Sequence, residues 1–556
     1  MLSKLPRLLV YLLAAIFIIN ILQAYSTELI FDEAYYWYYA KTMAWGYFDH
    51  PPMVAWLIQI SGFFFDGELG VRFMSCLLSV GGMLLLWAIV DHPKKKDFVL
   101  HFVVLLFSMP LLNAYGFFTL PDTPLLFFTA LLLLVYKRFL TNATVFWSVA
   151  MGLAMAGLMY SKYNAAIIIL LILFSNPKLA FNKFAWLSVG VALFCYIPHF
   201  IWLFEHDFVS IKYHLSERPN QAYEFLKFTG GFLLNLIVQF GFTFPLIYWS
   251  VFKTKSNDLF TRALLFLSYG VILFFFISSF QRRVQTQWLI VICIPMAIMA
   301  FNYLLQHKTA AKWMLRVGLF NVFILLVARV GLVYEPLFPI TFETHGNKKW
   351  ISQIENEAQD VPIVFENSYR NAPMYEFYTG RKAISLNNIQ YRQNQYSIDD
   401  SEASLQHKRI YYLSEHVKKA GRSFPMGKGR NTLYGTYINN FESFRKLKCI
   451  VAENEMEFDR ERTHVMKVFN PYGTDIPLEK IEFGIAYMDA FKGNRKVSPL
   501  KVSLIDSTIL VLKSNDTTNF TFKLPLSRIE NPAYFKLSIS ENKLPFGLNG
   551  DNIKLH

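Results

Sequence analysis

The chain has 556 residues, of which 54% are hydrophobic, 17% aromatic and only 17% charged, with a formal net charge of +14. A soluble protein of this size carries more surface charge, so the apolar excess is lipid-facing surface and an ordinary soluble enzyme is excluded. The positive excess lies largely in short loops between apolar runs, where Lys and Arg set topology; no basic stripe interleaved with aromatics suggests nucleic acid.

The N-terminus opens on Lys4 and Arg7 and continues as an apolar run to about Ala24. The run is longer than a signal-peptide core and no A-x-A site follows it, so an uncleaved first span is expected over a cleaved leader. Apolar runs then recur at residues 70–90, 98–118, 124–137, 145–160, 164–175, 185–203, 229–252, 260–280, 287–305 and 314–334. With the first, that is about eleven expected transmembrane helices. Alternate connections carry Lys94 to Lys96, Lys137-Arg138, Lys178 and Lys183, Lys253 and Lys255, and Lys308, Lys312 and Arg316. The positive-inside rule makes these cytoplasmic, with the N-terminus inside and the C-terminal region outside.

The opposite loops hold Asp32-Glu33, Asp49-His50, Asp122, Glu205-His206-Asp207 and Arg282-Arg283. Their shared sidedness places the expected chemistry on the outer face. Beyond the membrane part, residues 1–334, residues 335–440 mix short strands and helices and read as an α/β domain. Residues 441–556 alternate apolar and polar positions between turn signals and read as a β-sandwich. Both are expected to be extracytoplasmic. The fold class is thus a polytopic α-helical membrane protein with a C-terminal α/β plus β-sandwich region. Cys76, Cys195 and Cys293 lie in apolar runs and Cys449 stands alone, so neither a disulfide framework nor a cysteine metal site can be built.

The first outer loop reads Phe31-Asp32-Glu33-Ala34-Tyr35-Tyr36-Trp37-Tyr38-Tyr39. On a helix, Asp32 shares a face with Tyr35, Tyr36 and Tyr39. Either the aromatics anchor an interfacial helix whose acids complement its N-terminus, or the acids belong to a site. In Asp49-His50-Pro51-Pro52 the prolines suit the opening turn of a helix; His50 is a cap or a ligand for phosphate or metal. Asp122, between Pro121 and Thr123-Pro124, is a helix N-cap or a site acid near the membrane boundary.

Lys162 interrupts two apolar runs on the outer side, against the charge trend. It is a candidate ligand for a lipid-linked phosphate, or a snorkelling lysine. Arg282-Arg283 is a second outer basic pair suited to phosphate, or else a solvated loop. Glu205, His206 and Asp207 could line a polar pocket or offer a metal ligand.

Taken in order, these pieces resemble one family: the bacterial glycosyltransferases related to the protein O-mannosyltransferases and the lipid A aminoarabinose transferase, whose membrane fold is called GT-C. The resemblance rests on Asp32-Glu33-Ala34-x-Tyr36, Gly46-Tyr47-x-Asp49-His50-Pro51-Pro52, Pro121-Asp122-x-Pro124, Ser161-Lys162-Tyr163, His206-Asp207 and Gln287-Trp288, where the family often shows Asn-Trp. Glu366-Asn367-x-Tyr369, Phe377-Tyr378-Thr379-Gly380 and Tyr391-Arg392-x-x-Gln395-Tyr396 extend it to about residue 396; the remainder carries no family motif.

The resemblance implies an inverting enzyme with a polyprenyl-phosphate sugar donor. The acceptor would be a glycolipid, polysaccharide or secreted-protein hydroxyl at the outer face of a bacterial inner membrane. It implies Asp32 as the base, with Glu33 and Asp122 beside it as catalytic acids. Lys162, Arg282 and Arg283 would face the leaving phosphate. Tyr36, Asp49, His50, His206, Asp207, Gln287 and Trp288 would contact substrate. A divalent metal ion is permitted but not demanded, with Glu33, His50 and His206 as its candidate ligands. The competing expectation is a transporter or flippase of lipid-linked sugars. That class calls for polar residues on both sides of the midplane and often an internal repeat, and neither is visible here. A third class, a binding protein working through its β-domain, leaves the outer acids and cations unexplained.

Overall fold

A computed structural model describes residues 5–416, 421–426 and 431–556; Lys4 of the expected basic start lies outside the described residues. The chain forms two compact units, Met1–Asp207 with Tyr223–His345, and Phe208–Ala222 with Gly346–His556.

The first unit is helical. It begins with α1 (Arg7–Ser26), α2 (Phe31–Lys41), α3 (Met53–Gly62), α4 (Gly67–Ile89), α5 (Val99–Phe107), α6 (Pro110–Ala114), α7 (Asp122–Thr141), α8 (Val145–Ser161), α9 (Ala165–Ser175) and α10 (Lys183–Glu205). Long apolar helices follow at Leu259–Ser278, Thr286–Leu304 and Lys308–Val333. Among the described residues seven helices are long and apolar enough to cross a membrane, or eight if the bent pair Leu226–Val238 and Gly241–Lys253 is one span. The expected count of eleven is therefore not reached by single straight helices. Pro110 ends the run at 98–118, because its ring cannot continue the helix from α5. The run at 229–252 turns by 90° at Gly241, whose φ of +55° is left-handed. α9 has 11 residues, about 16 Å of helix and half of a bilayer core.

α7 and α8 are joined by three residues, so they form an antiparallel hairpin that brings the start of α7 beside the end of α8. Glycine permits close packing here. A Cβ at Gly152 would stand 2.6 Å from the Ser188 carbonyl oxygen of α10 and from Val191 Cβ, and one at Gly157 would meet the Phe128 ring of α7 at 2.4 Å. Trp87, Phe102 and Phe301 interlock deeper in the same core.

The second unit opens with β1 (Ile363–Glu366), β2 (Ala383–Leu386), β3 (Ile410–Ser414), β4 (Arg422–Pro425) and β5 (Thr432–Ile438), in the order β2-β1-β3-β5-β4. β1 pairs in parallel with β2 and β3, while β5 is antiparallel to β3 and β4. Helices Asn347–Ala358 and Asn371–Thr379 accompany this sheet. There follow β6 (Lys448–Ile450), β7 (Glu455–Met456), β8 (Thr463–Phe469), β9 (Ile476–Pro477), β10 (Ile481–Met488), β11 (Arg495–Pro499), β12 (Val502–Leu504), β13 (Val511–Leu512), β14 (Thr517–Lys523), β15 (Tyr534–Glu541) and β16 (Ile553–Leu555).

Two sheets, β11-β10-β15-β16-β7 and β12-β14-β8-β6, share one core. Alternation buries Met466, Val468, Phe520 and Phe522 from one, and Ile485, Tyr487, Leu537 and Ile539 from the other. Segment 208–222 is tied into this unit. Arg392 donates to the Tyr213 hydroxyl at 2.9 Å, and the Asn220 amide donates to the Phe491 carbonyl at 2.9 Å.

Candidate functional site

The site grows from the short helix α2. Its N-terminus leaves backbone N–H groups without helical acceptors, and Glu33 reaches back to take the Ile30 N–H at 3.2 Å. Glu33 is fully buried and also receives the Arg72 guanidinium in a two-pronged pair, Nε at 2.8 Å and Nη2 at 2.5 Å, and the Thr119 N–H at 2.8 Å. Four donors occupy the acceptor sites of this carboxylate, which leaves no room for substrate or metal. Arg72 spends its other N–H groups on the carbonyls of Ala24, Thr27 and Glu28. One buried pair thus ties together the end of α1, the start of α2, the start of α4 and the loop leading to Asp122. These bonds give Glu33 a holding part at the start of α2.

Asp32, next along the same turn, keeps partial exposure. Its ring neighbours do not form a lipid-interface belt. Tyr35, Tyr36 and Tyr39 are buried, and Tyr39 stacks on Tyr47 with centroids 4.3 Å apart. The Tyr39 hydroxyl donates to Asp49 at 3.4 Å, and Tyr36 meets His50 edge to face at 5.6 Å. Pro52 is the N-cap of α3 and Pro51 precedes it, so the pair stands just before the helix and not in its opening turn.

Asp122 is the first residue of α7 rather than its cap. Its carboxylate is buried and accepts both Oδ1 and Oδ2 contacts from the Lys162 ammonium, at 2.8 and 3.0 Å. Lys162 is itself 8% exposed, so it does not snorkel. The hairpin explains the pairing: residues at the open ends of two antiparallel helices with a three-residue turn must meet. The Tyr115 hydroxyl lies within reach of the charges of both Asp122 and Asp32, which puts these two acids in one neighbourhood. A small, partly open cavity of about 50 Å³ lies between α4, α5 and α7, lined by Tyr115, Thr123, Leu78, Met83, Leu86 and Leu106.

The other expected residues lie on other elements. His206 stacks on Trp202 at 4.2 Å, with Nδ1 2.9 Å from the Trp202 carbonyl oxygen, and Asp207 follows it on the surface with a φ of +52°. Arg282 and Arg283 make no ion pair among the described residues; Arg282 is half-buried and Arg283 exposed. The segment after them is pinned by Asn235 and Gln239, which hold Val284 and Thr286. Gln287 donates to Gln285 at 3.0 Å, and Trp288 packs near Phe275. Glu33, His50 and His206 do not gather as a metal centre. Among the described residues no group of three or more His, Cys, Asp or Glu side chains is placed to share an ion.

Two buried residues escaped the sequence reading. Arg72 and Arg329 each break an apolar helix, and an ionisable side chain in such a run is itself a signal. Arg329 donates to Asn113 and Asn20 and lies between the Phe107 and Phe117 rings.

Comparison with known proteins bears on this arrangement. The family profile of dolichyl-phosphate-mannose-protein mannosyltransferase matches residues 49–202. Lipid A galacturonosyltransferase RgtD of Rhizobium johnstonii is 24% identical over 296 residues, 50% of this chain and 60% of that protein. The chain therefore spans less than two thirds of this curated relative. Crystal structures of ArnT from Cupriavidus metallidurans, in the apo state and bound to undecaprenyl phosphate, each superpose with a TM-score of 0.56. They are 13% and 12% identical, over 77% of this chain and 97% of ArnT. The chain shares the fold of ArnT over 77% of its length, in keeping with the GT-C fold that the resemblance implies.

Proposed function

We propose that this protein transfers a sugar from a polyprenyl-phosphate donor to a glycolipid at the outer face of a bacterial inner membrane. The observation that carries the reading is the buried Asp122–Lys162 pair at the start of α7, with the Tyr115 hydroxyl within reach of the charges of both Asp122 and Asp32. A lipid-linked phosphate needs a fixed cation in a buried site, and Lys162 held by Asp122 supplies one. ArnT with undecaprenyl phosphate and the lipid A relative support the donor and the acceptor class.

In this reading the acceptor hydroxyl attacks the anomeric carbon from the face opposite the phosphate. The carbon–oxygen bond to phosphate breaks, polyprenyl phosphate leaves, and the configuration inverts. Asp32 takes the hydroxyl proton late in the step. Lys162 has three N–H groups and gives two to Asp122, which leaves one for the phosphate. Asp122 then fixes the ammonium instead of touching the sugar. Arg282 and Arg283, which make no ion pair among the described residues, add charge for the departing group. Removing one such preorganised charge lowers the rate ~10²-fold or more. No step needs the metal ion that the sequence permitted.

The test is direct. Purified protein is incubated with a panel of labelled polyprenyl-phosphate sugars and an extract of bacterial membrane lipids. Label on a glycolipid supports the proposal. Label on protein alone removes the glycolipid acceptor, and lipid-sugar translocation without transfer would replace the enzyme with a flippase.

A further inference from the structure

The sandwich carries a cationic face that the transfer reaction does not use. β10 lies between β11 and β15, and its register sets Lys536 of β15 opposite Ala486 and Arg495 of β11 opposite Met488. Ala486 and Met488 are two residues apart, so Lys536 and Arg495 share one face of the sheet. Phe535, Leu537 and Ile539 point the other way, into the core. Tyr534 joins Lys536 on the outer face. The Lys492 ammonium, from the turn between β10 and β11, stands 4.5 Å from the centre of the Tyr534 ring.

Outer positions of a sandwich strand are ordinarily solvated, yet Lys536 is only 4% exposed. Two segments lie against the cations of this face. Arg495 Nη1 donates to the carbonyls of Ile389 and Tyr391, both at 2.6 Å, and Lys492 Nζ donates to the Ser216 carbonyl at 2.5 Å. Lys536 makes no hydrogen bond and no ion pair among the described residues, and Arg495 Nη2 makes no hydrogen bond among them either. A buried ammonium without an acceptor costs free energy unless something enters to take its N–H groups.

Charge decides what enters. Burial pushes the Lys536 ammonium below its ordinary range; Glu217 and Asp551 pull it back, while Arg495 and Lys492 push it further down. Glu217 also acts on Arg495 and Lys492, so one carboxylate faces all three cations. It makes no ion pair with any of them among the described residues. A phosphoryl group has several strong acceptor oxygens pointing in different directions, and so can meet cations that one distant carboxylate does not. We propose that this face binds an anionic phosphoryl group between Lys536, Arg495 and Lys492, and that Glu217 is the resident carboxylate with which it competes. The site stands whether or not the transfer reaction is as described.

Full-length Lys162→Gln protein in detergent, which lacks the cation of the transfer centre, is titrated with inorganic phosphate, and binding is read by calorimetry and phosphorus NMR. Phosphate binds in the millimolar range. Lys536→Met, which keeps the buried stem, weakens that binding about tenfold. Glu217→Gln tightens it about threefold. Lys496→Gln, on the opposite face of β11, leaves it unchanged. Should Lys536→Met fail to fold, Lys492→Gln reads the same site with a loss of about threefold. Short-chain phosphatidic acid that displaces the phosphate, where phosphatidylcholine does not, makes a lipid headgroup the ligand; phosphate that phosphatidic acid leaves in place makes it a soluble phosphate. Absence of phosphate binding, equal weakening by Lys496→Gln, weaker binding in Glu217→Gln, or preference for acetate would each overturn the proposal.

Discussion

Glu33 and Arg72 show how one pair of side chains sets the position of a third. The pair is fully buried, and the idealised cost of desolvating it is met by five further backbone contacts. Arg72→Leu strands a buried carboxylate and should cost about 3–5 kcal/mol, measured by thermal unfolding in detergent. The double variant Arg72→Leu with Glu33→Leu restores most of that stability, because two apolar groups pack where two charges stood. Transfer does not return with it, since Asp32 loses its fixed helix start. Full recovery of rate would mean that the clamp is purely structural. At this scale the sequence was half legible. Asp32, Asp122 and Lys162 stood out as charges at the ends of apolar runs. Their partners did not, because a pairing between Glu33 and Arg72 spans 39 residues and leaves no local spacing pattern.

The α7–α8 hairpin is the element that assembles the Asp122–Lys162 pair. Its three-residue turn and nearly equal arms make the meeting of its two ends a matter of geometry, so this contact could have been read from the span boundaries. Asp122→Asn and Lys162→Gln should each lower the rate ~10²-fold, and the double variant should lose far less than their product, as expected for groups that act as one unit. Additive losses would separate their roles. The close packing of α8 on α10 is a second handle. Gly152→Val drives a side chain against the backbone of Ser188, which cannot move aside as a flexible side chain can, and should destabilise by about 1–3 kcal/mol. A melting temperature equal to that of the parent would show that the helices have room to part. Boundaries here were less legible than elements. The breaks at Pro110 and Gly241 leave no mark in the hydropathy, which continues across them while the backbone does not.

The whole molecule joins a membrane unit of apolar helices to a unit of mixed sheets, and composition alone separated the two. Alternating burial along β8 and β14 made the sandwich readable, whereas the inclusion of segment 208–222 in the second unit depends on distant contacts at Tyr213 and Asn220. The second unit also carries a pH signature. Burial raises the Glu541 carboxyl to about 7, against the opposing pull of Arg445 and with a smaller push from Glu402. An acid raised on folding binds its proton more tightly in the folded state. Its contribution is therefore complete below about 4.5 and is lost as pH rises through 7. The melting temperature of this unit should fall between pH 5 and pH 8, and Glu541→Gln should flatten that slope; an unchanged slope would assign it to other groups.

The central claim is that Asp32 takes the acceptor proton in a sugar transfer, and single-turnover transfer by Asp32→Asn tests it most directly. With the labelled donor bound as tightly as by the parent protein, the account predicts a rate lower by ~10²-fold or more. Transfer at the parental rate would contradict it and remove Asp32 from the chemistry.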